Sequence, residues 1–301
     1  MNKKTLIIVL GPTAVGKTAA AIELAQYFNT EIVSCDSRQF YKELNIGVAR
    51  PSEEELQAVK HHLIGHISIN NYYNVSKYEQ EALVCIEQIF ESNDFAVMVG
   101  GSGMYIDAVS DGIAELPDAD IELRKELQNK LETEGLEYIR NMLKRLDPIY
   151  YETVDLANPV RILRALEVTL ATGTPYSSVR THSKKERKFT VLKIGLSLDR
   201  EMLYKRINDR VDIMLENGLE EEARSLIPHR DKTALKTVGY TELFKFFDGE
   251  WDFQMAVEKI KTNSRRYAKR QFTWFNRYSD IQWFSPFEKE NIIQFIQEKN
   301  K

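Results

Sequence analysis

Two cysteines, Cys35 and Cys85, are all that the 301 residues contain. They lie far apart and form no C-x-x-C pair, so neither a disulfide framework nor a cysteine zinc site is expected, and a reducing compartment fits. Positive charge is not in excess: 41 Lys and Arg against 45 Asp and Glu give a formal net charge of −4. Nucleic-acid binding through overall charge is therefore excluded, and any such binding has to use a local basic patch. Long apolar runs are missing too. The N-terminal TLIIVL ends at Gly11-Pro12. It is shorter than a signal-peptide core, has no small-residue cleavage site, and no run approaches a membrane-spanning length. A cytoplasmic chain, monomeric by default, is expected. There is no internal repeat and no low-complexity tract.

What is present reads as an α/β fold. Apolar residues make up 43% and charged residues 29%, as in globular chains. Thr5–Leu10 is a β-branched apolar run suited to a strand buried on both faces. AAAIELAQYF (19–28) follows at helical period, EIVSCD (31–36) reads as a second strand ending on an acid, SKYEQEALVCIEQIFES (76–92) as a helix, and FAVMVG as a third strand running into a glycine loop. This alternation predicts a doubly wound core of the P-loop NTPase-like kind, a parallel sheet flanked by helices. From residue 116 to 189 strand signals vanish, which predicts an inserted all-helical domain between core segments 1–115 and 190–301. Asp118 and Asp120 are candidate N-caps there, Gly135 breaks the run, and Asn158-Pro159 opens a helix closed by Gly173. In the returning segment, TVLKIGLSLD (190–199) reads as a strand, Asp199 caps a long helix, and IQWFS (281–285) reads as a late strand.

Between the first strand and the first helix lies GPTAVGKT (11–18), with the G-x-x-x-x-G-K-T spacing of a phosphate-binding loop. Gly11 and Gly16 let the backbone turn its N–H groups inward, the helix N-terminus adds positive dipole, Lys17 supplies a cation, and the Thr18 hydroxyl suits magnesium. The loop alone does not say whether phosphate is the group transferred. No NKxD-type base reader is present, and Asp36 is the residue placed to serve as a magnesium aspartate, a general base or a helix cap.

Six segments in order resolve that ambiguity by resemblance: GPTAVGKT, DSRQFYKELNIGVARP, VGGSGMY, NPVRILRALEV, TVGYTEL and AKRQFTWF, spread from residue 11 to 275. Together they resemble the tRNA dimethylallyltransferases, the isopentenyl-tRNA transferase family. The resemblance implies that Gly11, Pro12, Thr13, Ala14, Val15, Gly16, Lys17 and Thr18 hold the diphosphate of dimethylallyl diphosphate, with Mg2+ on Thr18. It implies that Asp36 accepts the proton of the adenine amine, that Ser37, Arg38 and Gln39 line the base, and that Gly100, Gly101 and Ser102 floor the channel, the Ser102 hydroxyl near the reacting groups. Arg206 and Arg210, one turn apart on a helix, compete for the diphosphate, and Arg206 is the choice. The tRNA anticodon arm is expected along Arg124, Val160, Arg161, Arg164, Lys236, Gly239, Tyr240, Lys269 and Arg270, clamped by the helical insertion. Departures from the pattern are Ser102 for Thr, Phe40 for a smaller aliphatic, Arg50 for Lys, Val48 for Thr, and Thr241 for a charged residue.

The implied chemistry is consistent with the residues. An anticodon-loop adenine has to be unstacked before its amine can be alkylated, and a diphosphate leaves only when its charge is neutralised. Alternatives remain at this point: a small-molecule kinase using ATP, a non-catalytic P-loop RNA-binding module, or a prenyltransferase for free adenine nucleotides. Residues 261–278 carry six Lys and Arg and no acid, with Tyr267, Phe272, Trp274 and Phe275 interleaved, Tyr267 available for stacking and Phe272 and Trp274 expected in the core. A second basic stretch spans 180–188. His61, His62 and His66 invite a metal reading, which Gly65 and the lack of nearby ligands argue against.

Overall fold

A computed structural model describes residues 4–114, 116–117, 120–180 and 184–300. Asp118 and residues 181–183 of the second basic stretch lie outside the described residues. The chain divides into a core unit, Met1–Asp111 with Arg187–Lys301, and a helical unit, Gly112–Glu186.

The core unit begins with β1 (Thr5–Leu10), whose six residues are all buried. It continues through α1 (Lys17–Tyr27), β2 (Ile32–Ser34), α2 (Glu53–Ala58), β3 (His61–His62), α3 (Val75–Ser92), β4 (Phe95–Gly100) and α4 (Gly103–Ser110). The acidic run at 53–56 is a helix start: Ser52 and Glu55 form a capping box. The helical unit holds α5 (Ile121–Leu146), α6 (Pro148–Tyr151), α7 (Pro159–Thr172) and α8 (Tyr176–Val179). The core then resumes with β5 (Thr190–Leu196), α9 (Arg200–Glu216), α10 (Leu219–Ser225), α11 (Tyr240–Phe247), α12 (Phe253–Phe275), β6 (Ile281–Phe284) and α13 (Lys289–Lys299).

Among the described residues the sheet has six strands, all parallel, in the order β3-β2-β4-β1-β5-β6. Alternation along β1 assigns its side chains to two layers. Ile7 and Val9 join Ala21, Leu24, Ile207 and Ile296 on one face. Leu6, Ile8 and Leu10 join Tyr78, Ile86, Ile106 and Phe275 on the other. Both faces are thus covered, as a parallel sheet requires. In this register Leu10 pairs with Gly100 and with Gly195, and Ser34 with Val99. The carboxyl ends of β2, β4, β1 and β5 are therefore level, and their loops meet where the strand order reverses, the usual ligand position in such sheets.

The helical unit has its own core of Leu127, Ile139, Leu143, Tyr150, Ile162 and Leu166. Its caps follow the sequence. The Asp120 carboxylate accepts from Glu122 and Leu123 N–H, the Asn158 side chain from Arg161 N–H, and Gly173 ends α7 in the left-handed region. Gly135 interrupts α5 with φ 83° and ψ 174°. Buried Asp147 accepts from Tyr150 N–H and from both Ser177 N–H and its hydroxyl, tying α6 to α8. Arg187 sits in the core unit, its guanidinium bonded to Glu79 and to the carbonyls of Ala108 and Val109.

Candidate active site

The 11–18 loop takes its shape from its own backbone and from the strand beside it. Gly11 has φ 147°, and a Cβ there would lie 2.6 Å from the Leu196 carbonyl oxygen, so only glycine lets the loop leave β1 beside β5. Gly16, at φ 108°, starts α1 with no side-chain cap, leaving the first N–H groups of the helix for an anion. Ala14 holds φ 64°, a conformation that costs a non-glycine residue about 1 kcal/mol or more. Lys17 Nζ donates to the Pro12 carbonyl at 2.8 Å, within the loop. Arg210 donates to the Thr13 hydroxyl at 3.3 Å. Arg206 lies beside Gly16: a methyl group there would be 3.8 Å from its guanidinium. Both arginines therefore reach the cradle, one at each end, and the choice of Arg206 over Arg210 dissolves.

Three cations in one place repel. Burial, then Arg210, pushes the Lys17 ammonium down to about 8, with Asp36 opposing. Burial also lowers Arg210, again against the pull of Asp36, with Arg206 adding to the depression. Among the described residues none of the three forms an ion pair. A multiply charged anion would relieve this imbalance.

Asp36 follows β2 across the same cleft. Its Oδ1 accepts from Arg38 N–H at 2.9 Å and Gln39 N–H at 3.4 Å, while Oδ2 makes no hydrogen bond among the described residues. Capping and chemistry are thus divided between the two oxygens of one carboxylate. Ser102 accepts from Ser37 N–H at 3.1 Å, joining the glycine loop to the Asp36 turn. Tyr267 borders both: burial, then Asp36, raises its phenol to about 12, while Arg38 and a hydrogen bond with Ser102 oppose. The cleft that Thr18, Asp36, Arg38, Arg206, Arg210 and Tyr267 help to line has a volume of about 550 Å³.

Other expected site residues have different surroundings. The Gln39 side-chain amide donates to the carbonyls of Val48 at 3.2 Å and Ala49 at 2.9 Å, so it shapes the 45–51 loop as well as lining the cleft. Tyr240 is a correction. It is fully buried, because its ring packs against Gly47 and its hydroxyl donates to Glu222 at 2.7 Å. Glu222 in turn accepts from Asn45, Ile46 and Gly47 N–H groups at 3.1, 2.8 and 2.9 Å. Tyr240 thus supports a cleft-lining loop and is not on the surface. Gly239 lines the cleft, and Lys236 is exposed.

In the helical unit, Arg124 pairs with both Glu167 oxygens at 3.0 Å, and Arg164 approaches the same carboxylate at 3.4 Å. Val160 and Arg161 are exposed on α7. His62 and His66 are bonded to Glu31 and Glu81.

α12 has two faces. Ile260, Ser264, Tyr267 and Gln271, at helical spacing, line the cleft, whereas Arg266, Lys269 and Arg270 are exposed. Phe275 is core, Phe272 and Trp274 are partly buried against it, and Arg277 stacks on Trp274 at 4.0 Å. Sequence reasoning marked the basic face and missed Ser264 and Gln271. Their i, i+3, i+4 spacing with Tyr267 was the available signal.

Residues 39–278 match the model of the IPP transferase family. A tRNA dimethylallyltransferase 1 of Bacteroides fragilis is 49% identical over 99% of both chains, and a tRNA dimethylallyltransferase of Christiangramia forsetii is 49% identical over 98% of both. The crystal structure of the full-length tRNA isopentenylpyrophosphate transferase of Bacillus halodurans superposes with a TM-score of 0.72 at 35% identity, covering 99% of this chain and 97% of that one. A eukaryotic dimethylallyltransferase acting on tRNA gives a TM-score of 0.79 at 26% identity, over 95% of this chain and 74% of that one. With a family model matched over most of its length and relatives about half identical along the whole of it, the chain belongs to the IPP transferase family.

Proposed function

We propose that the chain transfers a dimethylallyl group from dimethylallyl diphosphate to the N6 amine of the adenosine 3′-adjacent to the anticodon in tRNA, releasing diphosphate. The observation that carries this reading is the cleft itself. Its three cations suit a diphosphate, and Asp36 has one oxygen without a hydrogen bond across from them. In the reaction a C–N bond forms at the allylic carbon while its C–O bond to the diphosphate breaks. The leaving electron pair stays on the diphosphate, whose charge Lys17, Arg206 and Arg210 offset. Asp36 accepts the proton that the amine loses. Ser102 sits between the two halves of the site and orients the Asp36 turn through Ser37 N–H. The donors present near the cradle are oxygens, with the Thr18 hydroxyl lining the cleft, which fits a magnesium ion that keeps several waters. Such an ion would be held by Thr18 and the diphosphate, and when bound would add to the neutralisation of the leaving group.

The tRNA would lie against the exposed cations Lys236, Lys269 and Arg270 and against Val160, Arg161, Arg124 and Arg164 of the helical unit. The named relatives act on tRNA, and the chain has no helix long and apolar enough to cross a membrane among its described residues. We place the reaction in the cytoplasm, with no obligate protein partner. No observation favours the kinase, the binding module or a free-nucleotide acceptor.

The test is a paired incubation of the purified chain with unmodified tRNA and magnesium. One sample receives labelled dimethylallyl diphosphate and the other γ-labelled ATP. Label enters tRNA from the prenyl donor alone and is lost with Asp36→Ala. Phosphate moved or released from ATP, with no prenyl incorporation, overturns the reading.

A further inference from the structure

We infer that Gln271 is a positioning residue of this reaction: its side-chain amide bridges the phosphate loop and the Gly101–Ser102 loop and thereby sets the spacing between prenyl donor and adenine acceptor. The inference rests on the transfer reading above. Gln271 is 6% exposed, on the cleft face of α12. Its Oε1 accepts from Thr13 N–H at 2.8 Å, and its Nε2 donates to the Gly101 carbonyl at 2.9 Å. The two partners, one donor and one acceptor, allow only one orientation of the amide.

Each partner leads to one half of the site. Thr13 carries on its hydroxyl the hydrogen bond from Arg210, at the phosphate cradle. Gly101 precedes Ser102, whose hydroxyl holds Ser37 N–H beside Asp36. A side-chain bridge from the diphosphate side to the base side therefore runs through this amide. The space between the loops is filled by it: a Cβ on Gly101 would lie 2.1 Å from Nε2 and 3.4 Å from the Gly11 carbonyl oxygen. Gly101 lacks a side chain because the amide of Gln271 occupies that place.

Alkyl transfer between two bound substrates depends on the separation of the reacting atoms, about 3–3.5 Å in a productive complex, and an error of about 1 Å costs on the order of 100-fold in rate. A bridge that sets this separation acts on kcat. It leaves the hydrogen bonds to each substrate in place, so the two KM values change little. Residues that only hold the fold together lower kcat through loss of folded protein, in step with thermal stability.

The experiment compares the full chain with Gln271→Leu, Gln271→Glu and Gly101→Ala. It measures kcat, KM for tRNA and for dimethylallyl diphosphate, affinity for inorganic diphosphate by calorimetry, and Tm. Gln271→Leu is expected to lower kcat about 30–100-fold, with each KM and the diphosphate affinity within about 3-fold. Gln271→Glu keeps the acceptor for Thr13 N–H and loses the donor to Gly101, so its kcat falls between wild type and the leucine variant. Gly101→Ala leaves Gln271 in the chain, displaces its amide, and gives the same kcat-selective loss. If the leucine variant does not fold, the glutamate and Gly101 variants decide on the same criteria. A kcat within about 3-fold of wild type in the variants that fold, a change confined to one KM, or losses that follow Tm each overturn the inference. A wild-type chain that transfers no prenyl group overturns the transfer reading itself.

Discussion

The core cleft and the helical unit use arginine in opposite ways. In the cleft, Arg206, Arg210 and Lys17 gather around one loop and none forms an ion pair among the described residues, so burial and mutual repulsion depress both Lys17 and Arg210. In the helical unit, Arg124 and Arg164 converge on Glu167, a carboxylate only 4% exposed. Cations without partners are costly to bury and available to a ligand. Cations that share a buried carboxylate stabilise a fold and are less available. A residue type in a motif therefore does not state its task; its partners do.

The largest expected effect comes from removing the carboxylate that faces the three cations. Asp36→Ala should lower kcat about 10²–10⁴-fold while tRNA binding stays within about 3-fold, measured by prenyl incorporation and by filter binding. A variant that kept its rate would show that the three cations alone suffice.

Next comes the charge imbalance. Lys17→Met should weaken binding of dimethylallyl diphosphate more than about 10-fold and yet raise the stability of the free chain by about 1–3 kcal/mol, read by denaturant titration. The sign follows from the lowered folded value of about 8 against the ordinary 10.5. The folded chain holds this proton less tightly than the unfolded chain does, so the charged lysine costs stability below pH about 8. Wild-type stability should rise as pH increases from about 8 toward 10.5, through this group, and the gain should be missing in Lys17→Met.

The helical unit should respond in the opposite direction. Glu167→Ala leaves two guanidiniums without their shared partner and should lower stability by about 2 kcal/mol, less than for a fully buried pair because Arg124 is half exposed. Equal stability would mean that the cluster is not structural and would erase the contrast. The smallest effect separates arginines within the same unit. Arg161, exposed and without an ion pair among the described residues, should lose about 2–5-fold in tRNA affinity on change to Ala, with a flatter salt dependence. Arg124→Ala should lose less, because its guanidinium is already engaged.

Much of this architecture was legible in the chain. The apolar runs at 5–10, 95–100 and 190–196 are strands, the elements described between Ile121 and Val179 are all helices, and Gly135, Asn158 and Gly173 act where their residue types indicate. Each of these is a local signal. The two-residue β3 was not legible, since His61-His62 has no strand pattern and is ordered by pairing with Ile32 and Val33. Tyr240 stands in a motif that resembles a tRNA-contacting one and from sequence alone reads as a tRNA contact. Only Glu222 and Gly47, from two distant segments, place it inside.

By itself the sequence determined the phosphate cradle, because eight contiguous residues carry the backbone conformations, the helix start and the lysine that make it. It also determined the parallel core, through the period of its apolar residues. Tertiary structure alone decided which cations face the cleft unpaired, that Asp36 stands across from them, and that Gln271 meets Thr13 from 258 positions away. Contacts at such separation leave no periodicity in the chain; they exist only once the sheet has brought the ends of its strands to one edge and the helices have packed around it.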